Sequence, residues 1–257
     1  MRSCRLWILA ALLASSSLSY PSTPAPRDGD IEESVRRVLD ASEKPAQFSA
    51  VRIRCDEGIL TLGGVVPSLS AMDQAIRLAG TIRGVLDIFP SAAVGRNRVA
   101  DSQILSGVET ALHNPSFSFV GIQATVGRGR VALTGSCGSY AQKALAEQEI
   151  AKVPGVVEIR NRIEVTSETN ASARDLAKMV ASRITASKQD SAAKIQVSIQ
   201  GAQAVLTGRV PLYRDRLDAA EAALAVPGIK TLDNQLVVDP SMAAADDGSS
   251  SHDSSAP

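Results

Sequence analysis

The densest cluster of chemically capable side chains lies at Arg209, Tyr213, Arg214 and Arg216, where three guanidinium groups surround one phenol. Guanidinium forks match the oxygens of a phosphate group, and a helix beginning at this point would favour an anion as well. A tyrosine suits the boundary between water and lipid. Asp215 and Asp218 stand in the same stretch. Two readings therefore stay open: a site for anionic phospholipid head groups, or a solvated surface whose arginines pair with these carboxylates. Arg128 and Arg130, with Arg96 and Arg98, are weaker candidates of the same kind.

Catalytic chemistry finds less to work with. The two histidines are His113, within "HNPS", and His252, near the C-terminus, and neither stands beside a cluster of cysteine, serine or carboxylate. "GRGRVA" at Gly127 to Ala132 satisfies the dinucleotide fingerprint formally. That motif needs a helix after it to hold the pyrophosphate, whereas the pattern here continues as a strand. No nucleophile elbow, phosphate-cradling lysine loop or metal-ligand spacing is present, so the expectation is a protein that is not an enzyme and holds no cofactor and no metal. A compact carboxylate cluster suited to a divalent ion is missing too. Potassium held by backbone carbonyls would leave no trace in sequence.

The elements that must position these side chains are written three times. Gly64, Gly135 and Gly208 stand 71 and 73 residues apart, and Gly84, Gly155 and Gly228 keep the same two spacings. Between these landmarks the apolar residues fall into register. Val51, Ile53 and Cys55 match Ile122, Ala124 and Val126, then Ile195, Val197 and Ile199. This period of two marks a strand with one buried face. A second strand follows in each copy, at Leu60 and Leu62, Val131 and Leu133, Ala204 and Leu206. The turns "DEG" and "GRG" carry the chemistry of a tight hairpin.

Helices flank each hairpin. Ile31, Val35, Val38 and Leu39 correspond to Ile104, Val108, Ala111 and Leu112, then to Leu176, Val180 and Ile184, one stripe of a short amphipathic helix. Alanine-rich segments after the hairpins run to Gly84, Gly155 and Gly228, which read as helix C-terminal residues with positive φ. A last strand, parallel to the second, closes each copy. The fold class is thus α+β: three tandem α-β-β-α-β modules over residues 30–94, 101–165 and 172–239, each a three-stranded mixed sheet with two helices on one face. In this frame Gly64, Gly135 and Gly208 mark where the chain leaves the second strand for a helix. Cys55 falls on the inward phase of a strand, and Cys137 takes the place of Val66 and Val210, so both read as small core residues. Pairing between them would bridge two modules, and whether they are free stays open.

Residues 1–19 stand apart, with Arg2 and Arg5, the apolar run "LWILAALLA" and the small polar "SSSLS". That is the anatomy of a secretory signal, cut near Ser19/Tyr20; the other reading is an uncleaved anchor. An exported, periplasmic chain is the expectation, with a linker over 20–29 and a disordered tail over 241–257, where the residues are small and polar. Loss of Arg2 and Arg5 leaves 25 basic residues against 27 acidic ones. This excludes non-specific nucleic-acid binding, which needs a basic footprint. By module the balance is 7 basic to 9 acidic, 6 to 6, and 9 to 7, so the third is the most cationic.

The repeated pattern, a strand with "G-x-[VL]-x-L-x-G", an alanine-rich helix, then "[PR]-G-V-x-x-[IV]-x-N-x-[IL]-x-V", resembles the BON domain. The second copy carries it best, with Gly129, Val131, Leu133, Gly135, Gly155, Val156, Ile159, Asn161, Ile163 and Val165. The third keeps Gly208, Gly228, Ile229, Leu232, Asn234, Leu236 and Val238 but has Ala202 and Ala204 for glycine and valine. The first has Pro90 in place of the asparagine, so its last strand is expected to be irregular or at an edge. The resemblance implies a non-enzymatic protein of the cell envelope that contacts anionic phospholipid head groups and supports envelope integrity. The alternative it implies is a chaperone or scaffold, related to osmotic stress, for other exported or envelope proteins.

Overall fold

Three short hairpins, each clasped by two helices, make up the chain. The computed structural model describes residues 26–95, 99–114, 121–166, 171–187 and 195–244. Residues 1–19, expected to be a secretory signal, lie outside them, as do Arg96, Arg98, His252 and the tail beyond residue 244. Module 1 comprises α1 (Asp28–Asp40), β1 (Val51–Asp56), β2 (Ile59–Val66), α2 (Leu69–Ala79), β3 (Asp87–Pro90) and β4 (Ala93–Val94). Module 2 comprises α3 (Asp101–Leu112), β5 (Gln123–Gly127), β6 (Arg130–Thr134), β7 (Ser136–Cys137), α4 (Tyr140–Ala151), β8 (Glu158–Asn161) and β9 (Glu164–Val165). Module 3 comprises α5 (Ala173–Ser187), β10 (Ile195–Gln200), β11 (Gln203–Val210), α6 (Tyr213–Leu224) and β12 (Thr231–Val238). A short 3-10 turn at Pro240–Ala244 follows, inside the stretch expected to be a disordered tail.

In every module the middle strand pairs antiparallel with the first and parallel with the last, as the crossover requires. The last strand is continuous only in module 3. In module 1 it breaks between Pro90 and Ala93, although the Ser91 amide still donates to the Leu62 carbonyl at 2.8 Å. In module 2 it breaks between Asn161 and Glu164, although the asparagine is present. The asparagine instead ties the last strand to the helix that precedes it. The Asn161 side-chain amide donates to the Lys143 carbonyl at 3.1 Å, and that of Asn234 to the Arg216 carbonyl at 3.1 Å.

The core of each module lies between its sheet and its two helices. Ile31, Val35 and Leu39 are buried on α1, Ile104, Val108 and Leu112 on α3, and Leu176, Val180 and Ile184 on α5. Val38 and Ala111 of the expected stripe are only half-buried. The first residue of a downstream helix crosses to a neighbour: Leu69 of α2 packs on the core of module 2, and Tyr213 of α6 on that of module 1.

Gly135 follows the end of the second strand, at Thr134, but the other repeated glycines sit elsewhere than the sequence pattern suggested. Gly64 and Gly208 do not end the second strand, which runs on to Val66 and Val210. They face Val51 and Ile195, at the start of the first strand, with φ of 89° and 127°. A Cβ at Gly64 would lie 2.1 Å from the Ala50 carbonyl oxygen, and one at Gly135 would lie 2.2 Å from that of Gly121. The glycine therefore lets the first strand's entry cross the second, in a conformation that side chains resist. Gly84, Gly155 and Gly228 do adopt positive φ, at 96°, 90° and 96°. The helices before them, however, end at Ala79, Ala151 and Leu224. These glycines instead close a turn beyond the helix, and Gly84 lies against Ile31 of α1.

An aspartate at the start of α1 and of α3 holds the hairpin turn. Asp28 accepts the amides of Glu57 and Gly58, each at 3.0 Å, and Asp101 accepts those of Arg128 and Gly129 at 2.7 and 2.9 Å. These donors hold both carboxyls below the usual carboxylate range, the Gly58 amide leading for Asp28 and the Arg128 amide for Asp101. Asp28 thereby brings the start of α1 into the stretch expected to be linker. In module 3 the corresponding residue is Ala173, and the turn residues are Gly201 and Ala202.

Candidate functional site

The sheet face turned away from the helices differs in character between modules. At three corresponding positions module 1 carries Ile59, Val65 and Phe89, module 2 Arg130, Ser136 and Arg160, and module 3 Gln203, Arg209 and Asp233. Phe89 is 63% exposed, Ile59 51% and Val65 46%. Strand pairing sets Arg54 opposite Thr61, itself opposite Phe89, and sets Arg52 opposite Gly63. Alternation then places both arginines on the same face as the apolar trio. Arg52 and Arg54 are exposed, and neither has an ion-pair partner among the described residues. In module 2 the same face is neutralised internally, Glu158 pairing with Arg130 at 3.0 Å and with Arg160 at 2.7 Å.

The arginines singled out in module 3 do not converge. Arg209 lies on the outer sheet face and pairs with Asp239 at 3.1 Å. Arg214 pairs with Asp218 at 3.2 Å, one turn along α6, and its backbone amide donates to the Gly80 carbonyl of module 1 at 3.0 Å. Arg216 lies 5.9 Å from the Tyr213 ring centroid and 3.8 Å from Asp87 of module 1. Tyr213 is half-buried between the two modules, and burial, then the Asp87 carboxylate, push its phenol up. Arg214 thus has the Asp218 partner that the solvated-surface reading expected. Asp215 is buried and accepts the Leu212 amide at 3.2 Å, at the start of α6.

Other chemically capable groups stay apart. His113 caps α3, with its Nδ1 2.8 Å from the Glu109 carbonyl oxygen. Cys55 and Cys137 are both free. Burial, followed by the Asp28 carboxylate that accepts its hydrogen bond at 3.3 Å, pushes the Cys55 thiol up to about 11. It is therefore protonated at neutral pH and a poor nucleophile. Cys137 is half-buried against the core of module 2 and donates to the Ser139 carbonyl at 3.1 Å. No group of three or more metal-ligating side chains occurs among the described residues. No helix among them is long and apolar enough to cross a membrane.

The signals that sequence reading missed are weak individually. Arg52 and Arg54 read there as the outward phase of an ordinary strand. The apolar residues beside them stand out only when the same positions are compared across modules.

No curated protein matches the chain. Among solved structures it is similar to the C-terminal domain of CdsD, a structural protein of the type III secretion system of Chlamydia trachomatis. That match has 19% identity and a TM-score of 0.23, covering 84% of this chain and 100% of that one. A second structure of CdsD matches at 19% identity with a TM-score of 0.24, covering 88% and 100%. Nothing about function follows from matches this loose. The family model of the BON domain matches at residues 27–89, 100–167 and 172–240, one match to each module. With three copies spanning most of its length, the chain belongs to the BON domain family.

Proposed function

We propose that this is an exported, non-enzymatic protein of the cell envelope that binds anionic phospholipid surfaces through the open sheet face of module 1. Family membership suggests the coarser part of this reading, an envelope-associated and non-catalytic role. The observation that carries the finer part is the juxtaposition on one face of exposed Phe89, Ile59 and Val65 with the unpaired Arg52 and Arg54. Aromatic and aliphatic side chains partition into the boundary of a bilayer, while each nearby arginine adds about 1 kcal/mol on an anionic surface. Asp56 and Asp87 on the same edge limit how closely that surface can approach on one side.

Co-sedimentation of the purified protein with vesicles of neutral lipid, and of neutral lipid mixed with phosphatidylglycerol, tests the reading. The mixed vesicles are expected to carry down most of the protein and the neutral ones little. Arg52→Ser with Arg54→Ser should abolish the difference. Arg209→Ser, Arg214→Ser and Arg216→Ser together test the module 3 site on the same scale. Equal binding to both vesicles would overturn the proposal. If that came with suppression of a client protein's aggregation at low molar ratio, the apolar trio would belong to a chaperone surface instead.

A further inference from the structure

The same face of all three downstream helices meets at one place. α2, α4 and α6 enclose a cleft of about 700 Å³, a size typical of small-molecule sites. Its walls use corresponding positions of the repeat: Leu69, Tyr140 and Tyr213 at the start of each helix, and two turns later Arg77, Gln148 and Glu221. Divergence at that second position has made the helices complementary, since Arg77 and Glu221 form an ion pair across modules 1 and 3.

Both cations that line the cleft are engaged by the protein. Arg77 is held by Glu221, and the Lys143 ammonium donates to the Ile163 carbonyl at 2.8 Å. The carboxylates are in surplus. Glu147 accepts only the Asn161 side-chain amide, at 3.0 Å, and Asp73 has no hydrogen-bond partner among the described residues. Asp73 and Glu147 are both exposed residues, and the water that the cleft walls displace raises the Asp73 carboxyl. Arg77 opposes that rise, and Glu147 and Glu221 add to it. Around these charges the walls are apolar, with Ile76, Ile159 and Leu217 among them.

We propose that the cleft between the three modules binds a hydrophobic organic cation, its positive centre beside Asp73 and Glu147 and its apolar body against the aliphatic walls and the rings of Tyr140 and Tyr213. An anionic ligand would meet two carboxylates with no free cation to offset them. A neutral apolar one would leave Asp73 desolvated without a partner. An aromatic wall beside a cationic centre adds a cation–π attraction. Ile88 and Pro90 of β3 line the cleft, but Phe89, Ile59, Val65, Arg52 and Arg54 on the outer face of that sheet take no part, so this site stands or falls separately from the reading above.

Tetraphenylphosphonium and tetraphenylborate share shape and apolar area and differ in the sign of their charge, so calorimetric titration of the full chain with each isolates the electrostatic part. The phosphonium is expected to bind one equivalent at least about tenfold more tightly than the borate. Asp73→Asn with Glu147→Gln should erase that preference while circular dichroism and Tm stay near those of the parent. Ala144→Phe, which fills the cleft and leaves the charges in place, should weaken both ions. Equal affinity for the two ions in the parent chain, or a preference that survives Asp73→Asn with Glu147→Gln, would overturn the proposal. The two-ion comparison in the parent protein needs no variant to fold.

Discussion

Modules 1 and 3 trace nearly the same path and expose opposite surfaces. Both carry a positive-φ glycine facing the start of the first strand, a parallel last strand and a buried stripe on the leading helix. Module 1, with the more acidic count, leaves Arg52 and Arg54 without an ion-pair partner among the described residues, beside an apolar trio. Module 3, with the more basic count, engages Arg209, Arg214 and Arg216 with Asp239, Asp218 and Asp87. Net charge therefore does not track unpaired charge on the sheet faces. What a surface offers to an anion is its unpaired charge, which depends on which carboxylates the fold brings within reach.

The largest expected effect breaks what the two modules share. Gly64→Ala and Gly208→Ala should each cost roughly 3 kcal/mol or more, because an L side chain is forced into the left-handed region, and at Gly64 onto a carbonyl as well. Urea unfolding followed separately in each module would show comparable losses. A large loss in one and none in the other would mean that the two glycines serve different ends.

The next experiment acts on the difference between the open faces. Arg52→Ser with Arg54→Ser should weaken binding to anionic vesicles by roughly 30-fold, from about 1 kcal/mol per arginine. Arg209→Ser should change it by about twofold or less, since that side chain is already paired. Grafting the trio onto module 3, as Gln203→Ile, Arg209→Val and Asp233→Phe, should raise vesicle binding if apolar surface is the limiting ingredient.

Acid sharpens the comparison further. Asp28 and Asp101 are depressed in the folded state, so their stabilisation is complete above the ordinary carboxylate range. It is lost as pH falls below about 4 and on through the lowered values. Amide exchange at Gly58 and Gly129, corrected for intrinsic rates, should therefore accelerate between pH 5 and pH 3 more than at Ala202, whose hairpin lacks the aspartate. Asp28→Ala should remove the effect at Gly58 alone and lower the melting temperature by several degrees.

The smallest effect concerns the thiols. Cys137 should react with a maleimide at neutral pH well before Cys55, which is buried and held protonated. Comparable rates would show that module 1 opens more readily than its packing implies.

Periodicity made the frame legible. Alternating residues such as Leu60 and Leu62, and helical stripes such as Leu176, Val180 and Ile184, report burial directly, because a side chain's phase in its own element decides which way it faces. The glycines were legible as special conformations but not as to their place, since positive φ serves a strand crossing and a turn equally well. The Asp28 and Asp101 clamps left a trace, an aspartate three residues before the first stripe residue, but its partner is a hairpin 27 to 30 residues away. The pairing of Arg216 with Asp87 left none. It links residues of different modules, and nothing local in either segment encodes how two modules dock.

The hydrogen bond from the Arg214 amide to the Gly80 carbonyl has a consequence for folding kinetics. It joins the first module to the last, across a whole intervening module. Each hairpin and its helices can form from contacts within some 70 residues, whereas this closure must wait until the third module has taken shape. Refolding is expected to show a fast phase for the modules and a slower one for their closure, and only the slower should disappear when the chain is cut before residue 171. Because the entropy of closing a loop grows only with the logarithm of its length, lengthening the segment between modules 2 and 3 should slow that phase modestly.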